Sequence, residues 1–203
     1  MPKNSIKVLL FDLGGVLFRL HDPIETFGLK VSHAEFMKRW LLSAAVRDFE
    51  CGAIDAEIFS QRIVIEADLG YSAEEFLQRF DNWPDCLYPQ TIEIMESIPQ
   101  QFELAVLSNT NTRHWEREDI ADVLSDYFSE IFLSFKTGLL KPDARAFEHV
   151  VNTCGCDAPE ILFFDDHPLN VAAAQEFGCH AVQIRCPDDI RSALGDFGIV
   201  TLT

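Results

Sequence analysis

Four short polar clusters hold side chains able to act together on an anionic ester: Asp12-Leu13-Gly14-Gly15, Ser108-Asn109-Thr110, Lys141-Pro142 and Asp165-Asp166-His167-Pro168. A carboxylate such as Asp12 can attack phosphorus, and the resulting aspartyl-phosphate splits one hard displacement into two easier ones. An anionic nucleophile meeting an anionic phosphate needs a cation between them. Mg²⁺ takes protein carboxylates together with phosphate oxygens and waters, and Asp12 and Asp166 can supply those carboxylates. Ser108 offers a hydroxyl, Asn109 its backbone amide, and Lys141 a compact positive charge for the transferring phosphoryl group. Pro142 is read as the first residue of a helix, which sets Lys141 beside amide dipoles that favour an anion. Lys136 competes for the same role but lacks the helix start. Asp165 is placed to orient Lys141 or to support the metal from behind. His167 is read as a surface loop residue.

The elements that must position these clusters are short apolar runs: Ile6 to Phe11, Leu104 to Leu107, Ile131 to Phe135, Ile161 to Phe164 and Ala181 to Ile184. They are unalternated, as expected of strands covered on both faces in a parallel sheet. Helical patterns at Ala144 to Asn152 and Val171 to Phe177 lie between the later runs. The expected fold is therefore α/β, a doubly wound parallel sheet, whose ligands bind at the carboxyl ends of the strands. Asp12 and Ser108 stand 96 positions apart, against about 30 residues for a plain βαβ unit. The surplus places a helical cap subdomain at residues 18–88, inserted into a core made of 1–17 and 89–203. Ser32, Asp55 and Ser72 are its expected helix caps. Phe49, Phe59, Phe76, Phe80 and Trp83 form its expected core, with Ile58, Ile63 and Ile65 on the helix that Asp55 starts. Arg19, His21, Arg47, Arg113, His114 and Trp115 are candidates for the interface between cap and core.

The chain has 203 residues with 48% hydrophobic and 24% charged, so it should fold on its own rather than remain disordered. A net charge of −17 would repel a phosphate backbone at long range, and no nucleic-acid partner is expected. An anionic substrate must then be met by local positive charge or metal. Six cysteines without framework spacing, a short apolar run after Lys3 and Lys7, and no long uncharged stretch point to a reduced, cytoplasmic chain with no membrane partner. Cys154, Cys156, Cys179 and His180 match no standard zinc spacing. Oligomeric state is left open.

The order Phe11-Asp12-Leu13-Gly14-Gly15-Val16, Leu107-Ser108-Asn109-Thr110, Lys141-Pro142, Phe163-Phe164-Asp165-Asp166 resembles the four motifs of the haloacid dehalogenase-like hydrolase superfamily. The likeness covers essentially the whole chain, the helical surplus corresponding to the family's inserted cap. Ser108-Asn109-Thr110-Asn111 and Lys141-Pro142-Asp143-Ala144-Arg145 are most similar to its small phosphatases acting on α-D-glucose 1-phosphate. The resemblance implies Mg²⁺, held by Asp12, Asp166 and the backbone carbonyl of Gly14, and hydrolysis of a small phosphorylated metabolite. Asn170 stands where many members keep another acid, so no direct metal role is expected of it. Gly14 departs from the usual pattern, because most phosphatases of the family carry there the Asp that protonates the leaving group, although the glucose 1-phosphate type has a non-acidic residue at this position. General acid catalysis is worth about 10² to 10⁴-fold. The expected resolution is a leaving group that needs little help, such as an anomeric oxygen. Another group, such as His21 or Arg47, could substitute instead. A 2-haloacid dehalogenase and a non-catalytic phospholigand-binding protein are the rival readings.

Overall fold

The computed structural model describes residues 6–117 and 123–200; Lys3 lies outside them. In chain order the strands are β1 (Val8–Phe11), β2 (Phe18–Leu20), β3 (Pro84–Leu87), β4 (Glu103–Ser108), β5 (Glu130–Leu133), β6 (Ile161–Asp165) and β7 (His180–Gln183). Five of them form one parallel sheet in the order β5-β4-β1-β6-β7. The chain builds β4 and β5 on one side of β1 and then β6 and β7 on the other. This reversal opens a crevice at the carboxyl ends around β1. Phe11 pairs with Val106 on one side and Phe164 on the other, so Asp12, Ser108 and Asp165 emerge along one edge of the sheet.

The apolar runs are continuous because both faces of the sheet are covered. Leu9 and Phe11 of β1 enter one core cluster, Val8 and Leu10 the other. Phe11 stacks on Phe164 at 4.6 Å between ring centroids. On the first face α6 (Thr91–Ser97) and α11 (Pro187–Asp196) contribute Ile94, Met95, Ile190 and Leu194. On the second, α9 (Ala144–Cys154) and α10 (Pro168–Phe177) contribute Phe147, Val150 and Ala174. Cys156 and Cys179 pack there too, and burial pushes the Cys179 thiol up to about 12.

Between β2 and β3, which pair antiparallel as a two-stranded ribbon, run α1 (Pro23–Phe27), α2 (His33–Leu42), α3 (Ala44–Glu50), α4 (Ala56–Glu66) and α5 (Ala73–Asp81). Ser32, Asp55 and Ser72 accept the backbone N–H three residues on, each starting a helix as expected. Phe27, Phe36, Phe49, Phe59, Phe76 and Phe80 are buried together, with Trp40 and Trp83 packed against them. A fully buried side chain of this kind contributes about 2 to 3 kcal/mol through removal from water. On α4 only part of the expected apolar face points inward. Phe59 and Ile63 are buried, whereas Ile65 is 81% exposed. Its position, two residues past Ile63, turns it to the far side of the helix.

Two boundaries differ from the sequence reading. Phe135 belongs to the helical turn α8 (Ser134–Thr137), because β5 ends at Leu133 and Gly138 closes the turn with φ 70°. Pro142 is not the first residue of a helix: α9 begins at Ala144, and Asp143 caps it by accepting from the N–H of Arg145 at 2.9 Å.

Candidate active site

Asp12 follows β1 directly, and its backbone N–H continues the sheet by donating to Phe164 O at 2.9 Å. Its carboxylate accepts the N–H of Leu13 at 2.7 Å and faces Lys141 Nζ, 2.9 Å from Oδ1. Lys141 is 3% exposed. Its ammonium also donates to Asp165 Oδ2 at 2.6 Å. Burial alone would lower the pKa of this lysine, but the charges of Asp12 and Asp165 outweigh it and hold the group protonated.

Lys141 is fixed by its backbone as well as by its charge. Asn109 accepts the Lys141 N–H through Oδ1 and donates to the Lys141 carbonyl through Nδ2, both at 2.9 Å. This reciprocal pair does the positioning that the sequence reading assigned to a helix start. Ser134 clamps the neighbouring loop, accepting from Thr110 N–H at 2.9 Å and donating to Thr110 O at 3.0 Å. Asp165, fully buried, accepts the N–H of His167 and both its oxygens face Asn170 Nδ2 at 3.0 and 3.1 Å. Asn170 thus braces Asp165, and Asp165 orients Lys141. Lys136 points elsewhere, its ammonium 5.9 Å from the Trp115 ring centroid on the surface. His167 caps α10 by accepting from Leu169 N–H through Nδ1 at 3.3 Å.

Asp12, Asp165 and Asp166 bring ligand oxygens within 4.8 Å of one another, the one such group among the described residues. Burial pushes the Asp12 carboxyl above its ordinary value despite Lys141. It pushes Asp166 up to about 7, with the charges of Asp12 and Asp165 adding to the effect. The lysine therefore under-compensates the carboxylates, and a hard divalent cation between Asp12 and Asp166 fits what they lack. Gly15 makes room for the arrangement. It sits at φ 76°, and a Cβ there would lie 2.6 Å from Asp166 Oδ2. Gly15→Ala should therefore push the Asp166 carboxylate aside and weaken any divalent cation held between it and Asp12, read by titration with Mg²⁺; unchanged binding would show that the carboxylate has room to move. A Cβ at Gly14 would meet the Leu20 side chain, nearest at Cδ1, 3.3 Å away. No acid stands where the family pattern has one.

Above these groups lies a cavity of about 430 Å³. Its floor includes Asp12, Ser108, Asn109 and Asp166, and its walls include Met37, Trp40, Leu41, Trp83 and Trp115. Of the interface candidates, those on α7 (Thr112–Trp115) join core to cap. Arg113 Nε donates to Asp81 Oδ1 at 2.6 Å and Nη2 to Oδ2. His114 Nε2 lies 2.8 Å from Phe80 O and its ring stacks on Phe80 at 4.1 Å. Burial lowers the His114 pKa to about 4, so the ring is neutral near pH 7 and donates to that carbonyl. Arg19 pairs with Asp85 across the ribbon, and His21 lines the cavity, whereas Arg47 is exposed and takes no part.

One wall residue escaped the sequence reading. Glu50 closes α3 and lines the cavity with Asp12. The available signal was an acid at the last position of a helix, where the dipole disfavours negative charge, just before Cys51-Gly52.

Residues 6–178 match the family model described as haloacid dehalogenase-like hydrolase. The chain belongs to the haloacid dehalogenase-like hydrolase family. Among curated relatives of this family member, a sesquiterpene phosphatase of Aspergillus oryzae is 28% identical, over 86% of this chain and 88% of the relative. A flavin mononucleotide hydrolase of Arabidopsis thaliana is 27% identical, over 97% of this chain and 80% of its own. A family enzyme of Bacteroides thetaiotaomicron, solved with magnesium and inorganic phosphate, superposes with a TM-score of 0.69 at 26% identity, covering 88% of this chain and 93% of that one. Among the described residues of this hydrolase, no helix is long and apolar enough to cross a membrane.

Proposed function

We propose that this hydrolase is a Mg²⁺-dependent phosphatase that cleaves the phosphate ester of a small metabolite through an aspartyl-phosphate on Asp12. The observation that carries the reading is the Asp12 carboxylate held 2.9 Å from a buried Lys141, with Asp166 alongside. Bound between Asp12, Asp166 and the Gly14 carbonyl, Mg²⁺ would offset charge on the nucleophile and the phosphoryl oxygens. Asp12 then attacks phosphorus. Lys141 and Ser108 contact the phosphoryl oxygens, with Lys141 kept aimed by Asp165 and by the Asn109 clamp. Water hydrolyses the intermediate and frees inorganic phosphate.

The motif phrasing favours a sugar phosphate such as glucose 1-phosphate, whose anomeric oxygen is a better leaving group than a primary alcohol. A second reading rests on the walls: Met37, Leu41 and three tryptophans suit an isoprenoid or aromatic moiety, in keeping with the similarity to a sesquiterpene phosphatase and a flavin mononucleotide hydrolase. A panel of glucose 1-phosphate, glucose 6-phosphate, farnesyl phosphate and flavin mononucleotide, with Mg²⁺ and with EDTA, decides. Phosphate release should need the metal, with the 1-phosphate ahead of the 6-phosphate. A lead for farnesyl phosphate or the flavin would assign the apolar class. Chloride release from 2-chloropropionate in EDTA would make the protein a dehalogenase, and phosphate binding without any turnover would make it a binding protein.

A further inference from the structure

Gly14 leaves the core without the acid that the family pattern places two positions after Asp12, and the cap supplies a carboxyl over the same floor. We propose that Glu50 is the general acid and base of this site, replacing from the cap the group that the core lacks; the inference rests on the phosphatase reading above.

Three observations place it there. Glu50 lines the cavity together with Asp12, Ser108 and Asp166. Its carboxyl stays outside the group of oxygens gathered for the cation, which consists of Asp12, Asp165 and Asp166, so it is available for proton transfer. And the chain just after it is pinned to the core. Gly52 has φ 73°, and a Cβ there would lie 2.4 Å from Phe135 O. Only a residue without a side chain permits this approach, and it holds the end of α3 against the turn that follows β5.

The surroundings suit a carboxyl that exchanges a proton near neutrality. Burial pushes Glu50 up to about 7, the Trp40 N–H that it accepts works against this, and the nearby Asp12 and Lys141 charges act in opposite directions. On the elements packed against α3, Arg62 of α4 is occupied by Asp48, and Lys136 of α8 lies over Trp115. The cavity's histidines have other engagements. His33 pairs with Asp22, His114 with Phe80 O, His167 caps α10, and His21 lies 3.6 Å from Asp85.

The two steps balance. As Asp12 Oδ bonds to phosphorus and the bond from phosphorus to the ester oxygen breaks, the Glu50 proton passes to that oxygen and the alcohol leaves neutral. Glu50, now a carboxylate, takes a proton from water as the water oxygen attacks phosphorus and the bond to Asp12 breaks. Inorganic phosphate departs, and Asp12 and protonated Glu50 are restored.

The test compares two esters in Mg²⁺ buffer: 4-nitrophenyl phosphate, whose phenolate leaves unaided, and an alkyl phosphate, whose alkoxide does not. Glu50→Gln should lower kcat/KM for the alkyl ester about 10²-fold or more and for the nitrophenyl ester by less than about tenfold. Equal losses on both, or none on either, overturn the assignment. In the unmodified enzyme the ratio of alkyl to nitrophenyl kcat/KM should fall as pH rises through about 7. The comparison cancels Asp166, Lys141 and the substrate's own phosphate, which act on both esters alike, and a constant ratio overturns the proposal even where the variant does not fold. Turnover of neither ester by the unmodified enzyme overturns the phosphatase reading and this one with it.

Discussion

Asp12→Asn leaves a folded protein whose turnover is lower by about 10⁴-fold or more, the loss expected when a covalent route is removed. The amide oxygen still accepts from Lys141 Nζ and from Leu13 N–H, the two contacts the carboxylate makes, so the packing around it persists. Thermal unfolding should shift by only a few degrees, which corresponds to about 1 kcal/mol for a domain of this size. Trapping with beryllium fluoride and Mg²⁺ sharpens the test, because an acyl-phosphate mimic forms only on the carboxylate. Turnover within tenfold of the parent, with deamidation excluded by mass measurement, would remove Asp12 from the nucleophile's role.

Lys141→Met has the second large effect, and it falls on stability as well as on catalysis. Methionine fills a similar volume, but Asp12 and Asp165 lose the ammonium that stood 2.9 and 2.6 Å away. Removing one partner from a buried ionic group costs about 3 to 5 kcal/mol, because the remaining charge is left uncompensated. The sign with pH follows from the carboxylates. Without the lysine the Asp12 carboxyl, already held above its ordinary value by burial, rises further, so the penalty is full at neutral pH and shrinks as pH falls and Asp12 protonates. Denaturant unfolding at pH 7 and pH 5 reads it directly. Adding Asp165→Asn to the variant should recover part of the loss at pH 7, and a penalty independent of pH would mean that packing, not charge, is what the lysine supplies.

Much of this was legible in the sequence, for a physical reason. Strands buried on both faces write unbroken apolar runs, and in a doubly wound sheet the residues just past those runs meet at one edge. Asp12, Ser108 and Asp165 could therefore be brought together from the sequence, whereas for Lys141, well past the end of β5, the sequence suggests a helix start that lies instead at Ala144. The limits are equally physical. Ile131 to Phe135 is one apolar run, yet the strand yields to a helical turn at Ser134 because that hydroxyl is needed against Thr110. Periodicity does not report such a contact. The ribbon of β2 and β3 is three and four residues long and opens one strand with Pro84, too little pattern to read. Glu50 lies 38 positions from Asp12 on the helix that also carries Arg47 and Phe49, and its meaning comes wholly from where the cap settles. The reciprocal bonds between Asn109 and Lys141 belong to tertiary structure in the same way.

The latch on α7 has a bearing on exchange with solvent. Arg113 grips Asp81 through two guanidinium nitrogens, and His114 is both stacked on Phe80 and bonded to its carbonyl. These are the contacts that would have to part for the cap to move away from the core. Whatever free energy the latch holds reduces the open population and slows capture and release in proportion. The same contacts therefore set how readily the cap can part from the core.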